Sequence, residues 1–300
     1  GCTSNHTETL LVRALPTVSI NNLENLYCIG SPAEVITGVP ESSSGSFAYT
    51  GDPNDLNNYG DGTANFIPNH INDTGYITYT YTDDYGCTNS HSQNVTVAPL
   101  PTVYFESDSV FCPNGSPVEL IGEPAGGMFS GPNITGTDTA TFTPSTNLIG
   151  NNIITYTYTD ANSCTNSYAR DIQINALPLL SIESIAPSYC VNDDSVLIRG
   201  EVNGSVSGEG YFFGNGIYDA DSLDGAAYFY PDSAGIGGPY QITYTYTDTN
   251  NCVAYLDPPA NVQVRSLPTV SLSGLSDIYC EGSQTSLITG IPNDNPGEFD

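Results

Sequence analysis

The chain has 300 residues, with 33 acidic side chains against 4 arginines and no lysine, for a formal charge of −29. A polypeptide so charged cannot displace the counterions of nucleic acid or of an anionic bilayer, which excludes both as binding partners. Disordered chains can be as acidic, but they lack aromatic and β-branched residues, and this one has 21 Tyr, 10 Phe and abundant Val, Ile and Thr.

Gly1-Cys2-Thr3 has the same order as Gly86-Cys87-Thr88, so residues 1–13 read as the C-terminal end of a preceding repeat. Leu15-Pro16-Thr17-Val18 then opens a series of landmarks: Tyr27-Cys28, Gly45–Phe47, Ala64–Pro68, the run Ile77–Asp83, and Cys87. They return after Leu100 as Cys112, Gly127–Phe129, Ala140–Pro144, Ile154–Asp160 and Cys164. After Leu177 they return as Cys190, Gly210–Phe212, Ala227–Pro231, Ile242–Asp248 and Cys252. Leu267 begins the series again, with Cys280 and Gly297–Phe299. The openings are 85, 77 and 90 residues apart, which marks a tandem array. The divisions are 14–98, 99–175 and 176–265 as whole repeats, with 1–13 and 266–300 as partial ones. The chain therefore reads as a window on a longer polypeptide. It shows no initiator Met, no signal peptide and no apolar run long enough to span a membrane.

Each repeat reads as strands. Along Ile77–Asp83 the side chains alternate, Ile77, Tyr79 and Tyr81 on one face and Thr78, Thr80 and Thr82 on the other. The alternation resumes after the hairpin at Val95 and Val97, at Ile172 and Ile174, and at Val262 and Val264. No stretch has a capped helical period. About seven short strands in ~80–90 residues predict an immunoglobulin-like sandwich. The expected fold is all-β, with tandem immunoglobulin-like β-sandwich repeats in an elongated array.

The run from Cys28 through Thr37-Gly38 and Gly45-Ser46-Phe47 to Ile77–Cys87 and Val95–Val103 resembles the repeats of giant surface proteins of Bacteroidota. Those are tandem immunoglobulin- or PKD-like modules exported by the type IX secretion route, in gliding adhesins and surface filaments. The resemblance covers the whole chain and is generic to the repeat type. It implies a gliding bacterium of sea or soil and an extracellular, cell-surface location. It also implies neighbouring repeats and further copies of the chain as partners. Five Asp-Ser/Thr-apolar triplets resemble the O-glycosylation signal of that lineage, which implies glycans on Ser109, Thr139, Ser195, Ser222 and Ser233. The same residue types are also ordinary turn formers.

Eight cysteines, with no Cys-x-x-Cys and no clustering of His6, His70 and His91, point to disulfides rather than zinc. Each whole repeat owns two. Pairing within repeats gives Cys28–Cys87, Cys112–Cys164 and Cys190–Cys252, with the partners of Cys2 and Cys280 outside the fragment. In a sandwich, however, those positions lie at opposite ends, roughly 20–25 Å apart. A disulfide needs Cα atoms within ~7 Å. The alternative staples neighbours, Cys28 to Cys164 and Cys112 to Cys252. Both pairings stand at the level of sequence. Without lysine, Lys–Asn isopeptide bonds are unavailable as reinforcement.

Other candidates compete with plainer readings. The pairs Tyr79/Tyr81, Tyr156/Tyr158 and Tyr244/Tyr246 suit sandwich core better than a carbohydrate-stacking platform. Asp52, Asp55 and Asp61, and Asp219, Asp221 and Asp224, offer hard oxygen ligands for Ca²⁺ or form solvated loops. Asp83, Asp160 and Asp248, at the hairpin ends, suit interdomain calcium. No other cofactor or metal is expected. No His stands beside a Ser or Cys nucleophile, and neither Gly-x-Ser-x-Gly nor a phosphate loop occurs, so the chain is not expected to be an enzyme. Three functions follow: a structural rod that assembles side by side into a filament, an adhesin whose repeats grip glycans or surfaces, or the non-catalytic stalk of a secreted enzyme.

Overall fold

The alternating Tyr-rich runs form long strands, Thr74–Thr82, Gly150–Thr159 and Gly237–Asp248, and each is central to a sheet. The computed structural model describes residues 1–71, 74–137, 139–203, 207–221 and 224–291. The chain is all-β and divides into two compact units, neither of which coincides with one repeat.

The first unit comprises residues 1–109, 116–144 and 151–173. In it, one sheet has the order Ser19–Asn21, Glu34–Val39, Thr63–Phe66, Leu56–Asn58. Its companion has the order Leu26–Cys28, Thr88–Ala98, Thr74–Thr82, Gly45–Tyr49. Ile36, Ala64 and Phe66 from one sheet bury themselves against Phe47, Ile77, Tyr79, Val95 and Val97 from the other. That is the period-2 pattern of a sandwich with one face inward. The next pair of sheets repeats it: Phe105, Leu120, Ala140 and Phe142 are buried, as are Phe129, Ile154 and Tyr156. Phe105 meets Phe129 edge-on at 5.2 Å.

The second unit comprises residues 110–115, 145–150 and 174–300. One sheet runs Leu179–Glu183, Val196–Asn203, Ala226–Phe229, Ile217–Tyr218. The other runs Ser188–Cys190, Ala260–Arg265, Gly237–Asp248, Gly208–Gly214, with Val253–Tyr255 also paired to Gly237–Asp248. Ile198, Ala227, Phe229, Phe212, Ile242, Tyr244, Val262 and Val264 fill its core. Among the described residues the one α-helix is a single turn, Pro231–Ala234, opened by its proline.

The landmarks now have a physical meaning. The Phe of each Gly-x-Phe pairs with the first Tyr of the Tyr-rich run, at centroid distances of 4.7, 4.6 and 4.6 Å for Phe47/Tyr79, Phe129/Tyr156 and Phe212/Tyr244. The Gly of that motif leaves room for the phenol tip, since a Cβ on Gly45 would lie 1.8 Å from the Tyr79 hydroxyl oxygen. The Tyr79 hydroxyl donates to the Pro40 carbonyl, and that of Tyr156 to the Pro124 carbonyl at 2.6 Å. These rings are core, while Tyr81 and Tyr158 are half-buried beside them.

Burial pushes the phenols of Tyr27, Tyr79 and Tyr244 above their ordinary range. The unfolded chain loses these protons from about pH 10 while the folded chain keeps them. Their contribution to stability is therefore whole below pH ~10 and lost as pH rises through the folded pKa values. The urea midpoint is expected to hold between pH 8 and about 9.5 and to fall above 10. The fall should be smaller in a Tyr79→Phe/Tyr244→Phe variant measured over the same range.

Candidate functional site: the cysteine junctions

Each repeat presents cysteines on two kinds of loop. The first cysteine ends a short strand: Leu26–Cys28 runs parallel to Thr96–Ala98, and Ser188–Cys190 parallel to Gln263–Arg265. That places it beside the exit of the last strand of its repeat. A tight turn follows in all four copies. The N–H three residues on donates to the cysteine carbonyl at 3.0 Å, from Ser31 to Cys28, Gly115 to Cys112, Asp193 to Cys190 and Ser283 to Cys280.

The second cysteine sits at the tip of the Tyr-rich hairpin. Asp83, Asp160 and Asp248 each donate their N–H to the carbonyl of Cys87, Cys164 and Cys252 at 3.0 Å. Each carboxylate also accepts two backbone N–H groups: Tyr85 and Cys87, Asn162 and Cys164, Asn250 and Cys252, all at 2.8–2.9 Å. The Asp closing every Tyr run is thus a clasp that satisfies the hairpin backbone and fixes where the cysteine points. Interdomain calcium was one alternative for these carboxylates; the hydrogen bonds described are to their own loops.

Distance decides the pairing. Thr88, next to Cys87, and Ala98, opposite Cys28, are ten residues apart along one strand, or roughly 33 Å. No disulfide spans that. In the structure Cys28 is bonded to Cys164 and Cys112 to Cys252, with Cα–Cα distances of 5.5 and 5.4 Å. The first cysteine of one repeat is bonded to the second cysteine of the next. The within-repeat pairs do not form, and Cys2, Cys87, Cys190 and Cys280 are free thiols, Cys87 and Cys190 half-buried. Cys164 and Cys252 are fully buried. Beside the second bridge, Asn114 Nδ2 donates to the Val253 carbonyl at 2.9 Å. Each bridge lies inside one compact unit, Cys28–Cys164 in the first and Cys112–Cys252 in the second.

Asp55 is fully buried, and its Oδ1 lies 2.8 Å from His70 Nδ1, while His70 Nε2 lies 3.5 Å from Asp52 Oδ2. Sequence offered no signal for His70 as the partner. The Asn54 N–H holds the Asp52 carboxyl below its usual range, and the Thr63 hydroxyl and N–H do the same for Asp61. Asp219 accepts from the Phe212 N–H and Asp224 from the Ala226 N–H, both at 2.9 Å, and the Asp221 carbonyl accepts from the Asp224 N–H. Among the described residues no three His, Cys, Asp or Glu side chains gather to hold a metal ion. Of the glycan acceptors, Ser109, Thr139, Ser195 and Ser233 are exposed; Ser222 lies outside the described residues, as does the landmark Gly297–Phe299.

No protein-family model matches the chain, and no curated protein does. Solved structures that are similar include a Ca²⁺-stabilised adhesin that helps an Antarctic bacterium reach out and bind ice, 12% identical over 88% of this chain and 78% of that one, with a TM-score of 0.35. The insect immune protein hemolin is 10% identical over 92% and 85%, with a TM-score of 0.29. Immunoglobulin domains 1–5 of Sidekick-1 are 10% identical over 83% and 59%, with a TM-score of 0.28. At such identities and scores none of them bears on what this chain binds.

Proposed function

We propose that the chain is a structural segment of an extracellular adhesion array, a load-bearing spacer of immunoglobulin-like repeats with a covalent staple across each junction. The observation that carries this reading is that both disulfides join neighbouring repeats and neither lies inside one. A bond within a sandwich would stabilise that sandwich; a bond between sandwiches resists their separation. Disulfides persist in oxidising surroundings, which supports an extracellular location. Among the described residues no helix is long and apolar enough to cross a membrane. Within this reading, the resemblance to type IX-secreted surface proteins of Bacteroidota supplies the wider setting, a surface filament or gliding adhesin. Glycans on exposed Ser109, Thr139, Ser195 and Ser233 would decorate its surface. The reading needs no cofactor.

The spacer reading separates from direct adhesion by binding. The isolated chain is expected to show no saturable binding on a glycan array or to cells. Deleting the segment from its parent polypeptide is expected to bring a distal epitope closer to the cell surface in immunogold images. Micromolar binding of a glycan by the isolated chain would overturn the spacer reading in favour of an adhesive one.

A further inference from the structure

Cys87 and Cys190 have the same local structure as the bonded cysteines. Cys190 is followed by the same 3.0 Å turn as Cys28 and Cys112, and Asn192 stands where Asn114 reaches across the second bridge. Cys87 is held by the same Asp clasp as Cys164 and Cys252. The difference is cover: Cys164 and Cys252 are fully buried under the turn of the preceding repeat, whereas Cys87 is half-buried.

The two bonded junctions show what covers a hairpin cysteine. Cys164 and Cys252, both fully buried, are each bonded to the turn cysteine of the repeat before their own. Cys87 lies on the same kind of hairpin, where Arg13 stands 3.4 Å from the centroid of the Tyr85 ring. Cys190 lies on the same kind of turn as Cys28 and Cys112.

We propose that Cys87 and Cys190 are the two complementary halves of the staple seen at both bonded junctions, each reserved for a further repeat of this kind. Cys190 bonds the hairpin cysteine of such a repeat, and Cys87 bonds the turn cysteine of another. The proposal rests on reading the chain as an extracellular stapled array. The two thiols lose two protons and two electrons to a low-molecular-weight disulfide, which leaves as two thiols, and one S–S bond forms. The staple has a direction, because turn cysteine meets hairpin cysteine and never its own kind. Such an interface is heterologous, and it yields an open array or a ring according to the rotation between successive copies. A second copy of the chain carries both halves and serves as the probe.

Two full-length variants test this, both Cys2→Ser/Cys280→Ser, one also Cys87→Ser and the other also Cys190→Ser. Each is incubated alone and mixed with the other in a glutathione redox buffer, then analysed on non-reducing gels and by peptide mapping. The mixture is expected to yield a Cys190–Cys87 linked dimer at least tenfold in excess of either homodimer. Homodimers in comparable yield would overturn the directional staple. So would the absence of any mixed dimer while both thiols still accept a maleimide. Neither result depends on glycan binding or surface reach, so failure here is distinct from failure of the spacer reading.

Discussion

Stretched between its ends, the oxidised chain is expected to release roughly 600 Å less contour length than the reduced chain. Cys28 and Cys252 are 224 residues apart in sequence. With both bridges closed, the shortest covalent path between them crosses Cys28–Cys164, returns along the 52 residues to Cys112, and crosses to Cys252. The remaining residues of that span cannot bear tension, and at ~3.5 Å each they account for the deficit. Within-repeat bonds would lock 59, 52 and 62 residues, nearly the same total, so the removal of one bridge rather than the sum separates the two pairings. The bridges also close segments with sequence separations of 136 and 140, for which chain entropy alone sets a ceiling of about 5 kcal/mol per bond. Single-molecule extension with and without reductant measures the contour directly. A deficit confined to single repeats, or no deficit, would show that the staples do not carry load in solution. The double variant Cys28→Ser/Cys164→Ser separates the pairings: Cys112–Cys252 still locks 140 residues, so the variant should recover only 32 residues, about 110 Å, whereas losing two within-repeat bonds would recover 111 residues, about 390 Å.

Much of this architecture is legible in the residues alone, and the boundary of legibility is physical. Ile77, Tyr79, Val95 and Val97 announce their sheets because burial of one strand face imposes a period of two over many residues. The Gly-x-Phe motif recurs because a Phe must lie against each buried Tyr ring. Disulfide partners leave no such trace. Leu26–Cys28 is three residues long, too short to show alternation, and its parallel pairing with Thr96–Ala98 sets which end of the sandwich Cys28 occupies. Pairing is therefore open in sequence and decided only by the fold. The Asp clasp was visible as a repeated residue but ambiguous in chemistry, since a carboxylate that caps a hairpin and one that binds calcium are the same letter. The hydrogen bond between Asp55 and His70 joins positions fifteen apart across the paired strands Leu56–Asn58 and Thr63–Phe66, with no periodicity to reveal it.

The second large effect concerns a residue that the landmarks hide. Gly38, Gly122 and Gly200 lie beneath the rings of Tyr79, Tyr156 and Tyr244, and a Cβ there would stand 2.1, 2.2 and 2.0 Å from the ring Cζ. Each of these Tyr side chains is at most 1% exposed. Its ring is also held by the paired Phe, and the hydroxyls of Tyr79 and Tyr156 are anchored on a proline carbonyl. The ring therefore has nowhere to go when a methyl group arrives. Gly122→Ala is expected to cost about 3 kcal/mol, the upper part of the range for overpacking a core. Ordinary Gly→Ala exchange in a strand would instead be neutral or favourable, because it lowers the entropy of the unfolded chain. The sign of the change is thus diagnostic of contact with the ring. A second substitution confirms the cause: in a Tyr156→Leu background the added methyl meets a smaller side chain, and Gly122→Ala should cost less than about 1 kcal/mol there. Urea unfolding of the four chains in this cycle gives the coupling energy. Equal costs in both backgrounds would place the strain elsewhere. The expected inequality would show that one glycine per repeat is set by the tyrosine facing it, which fixes the distance between the two sheets of the sandwich, one of which carries both cysteine loops.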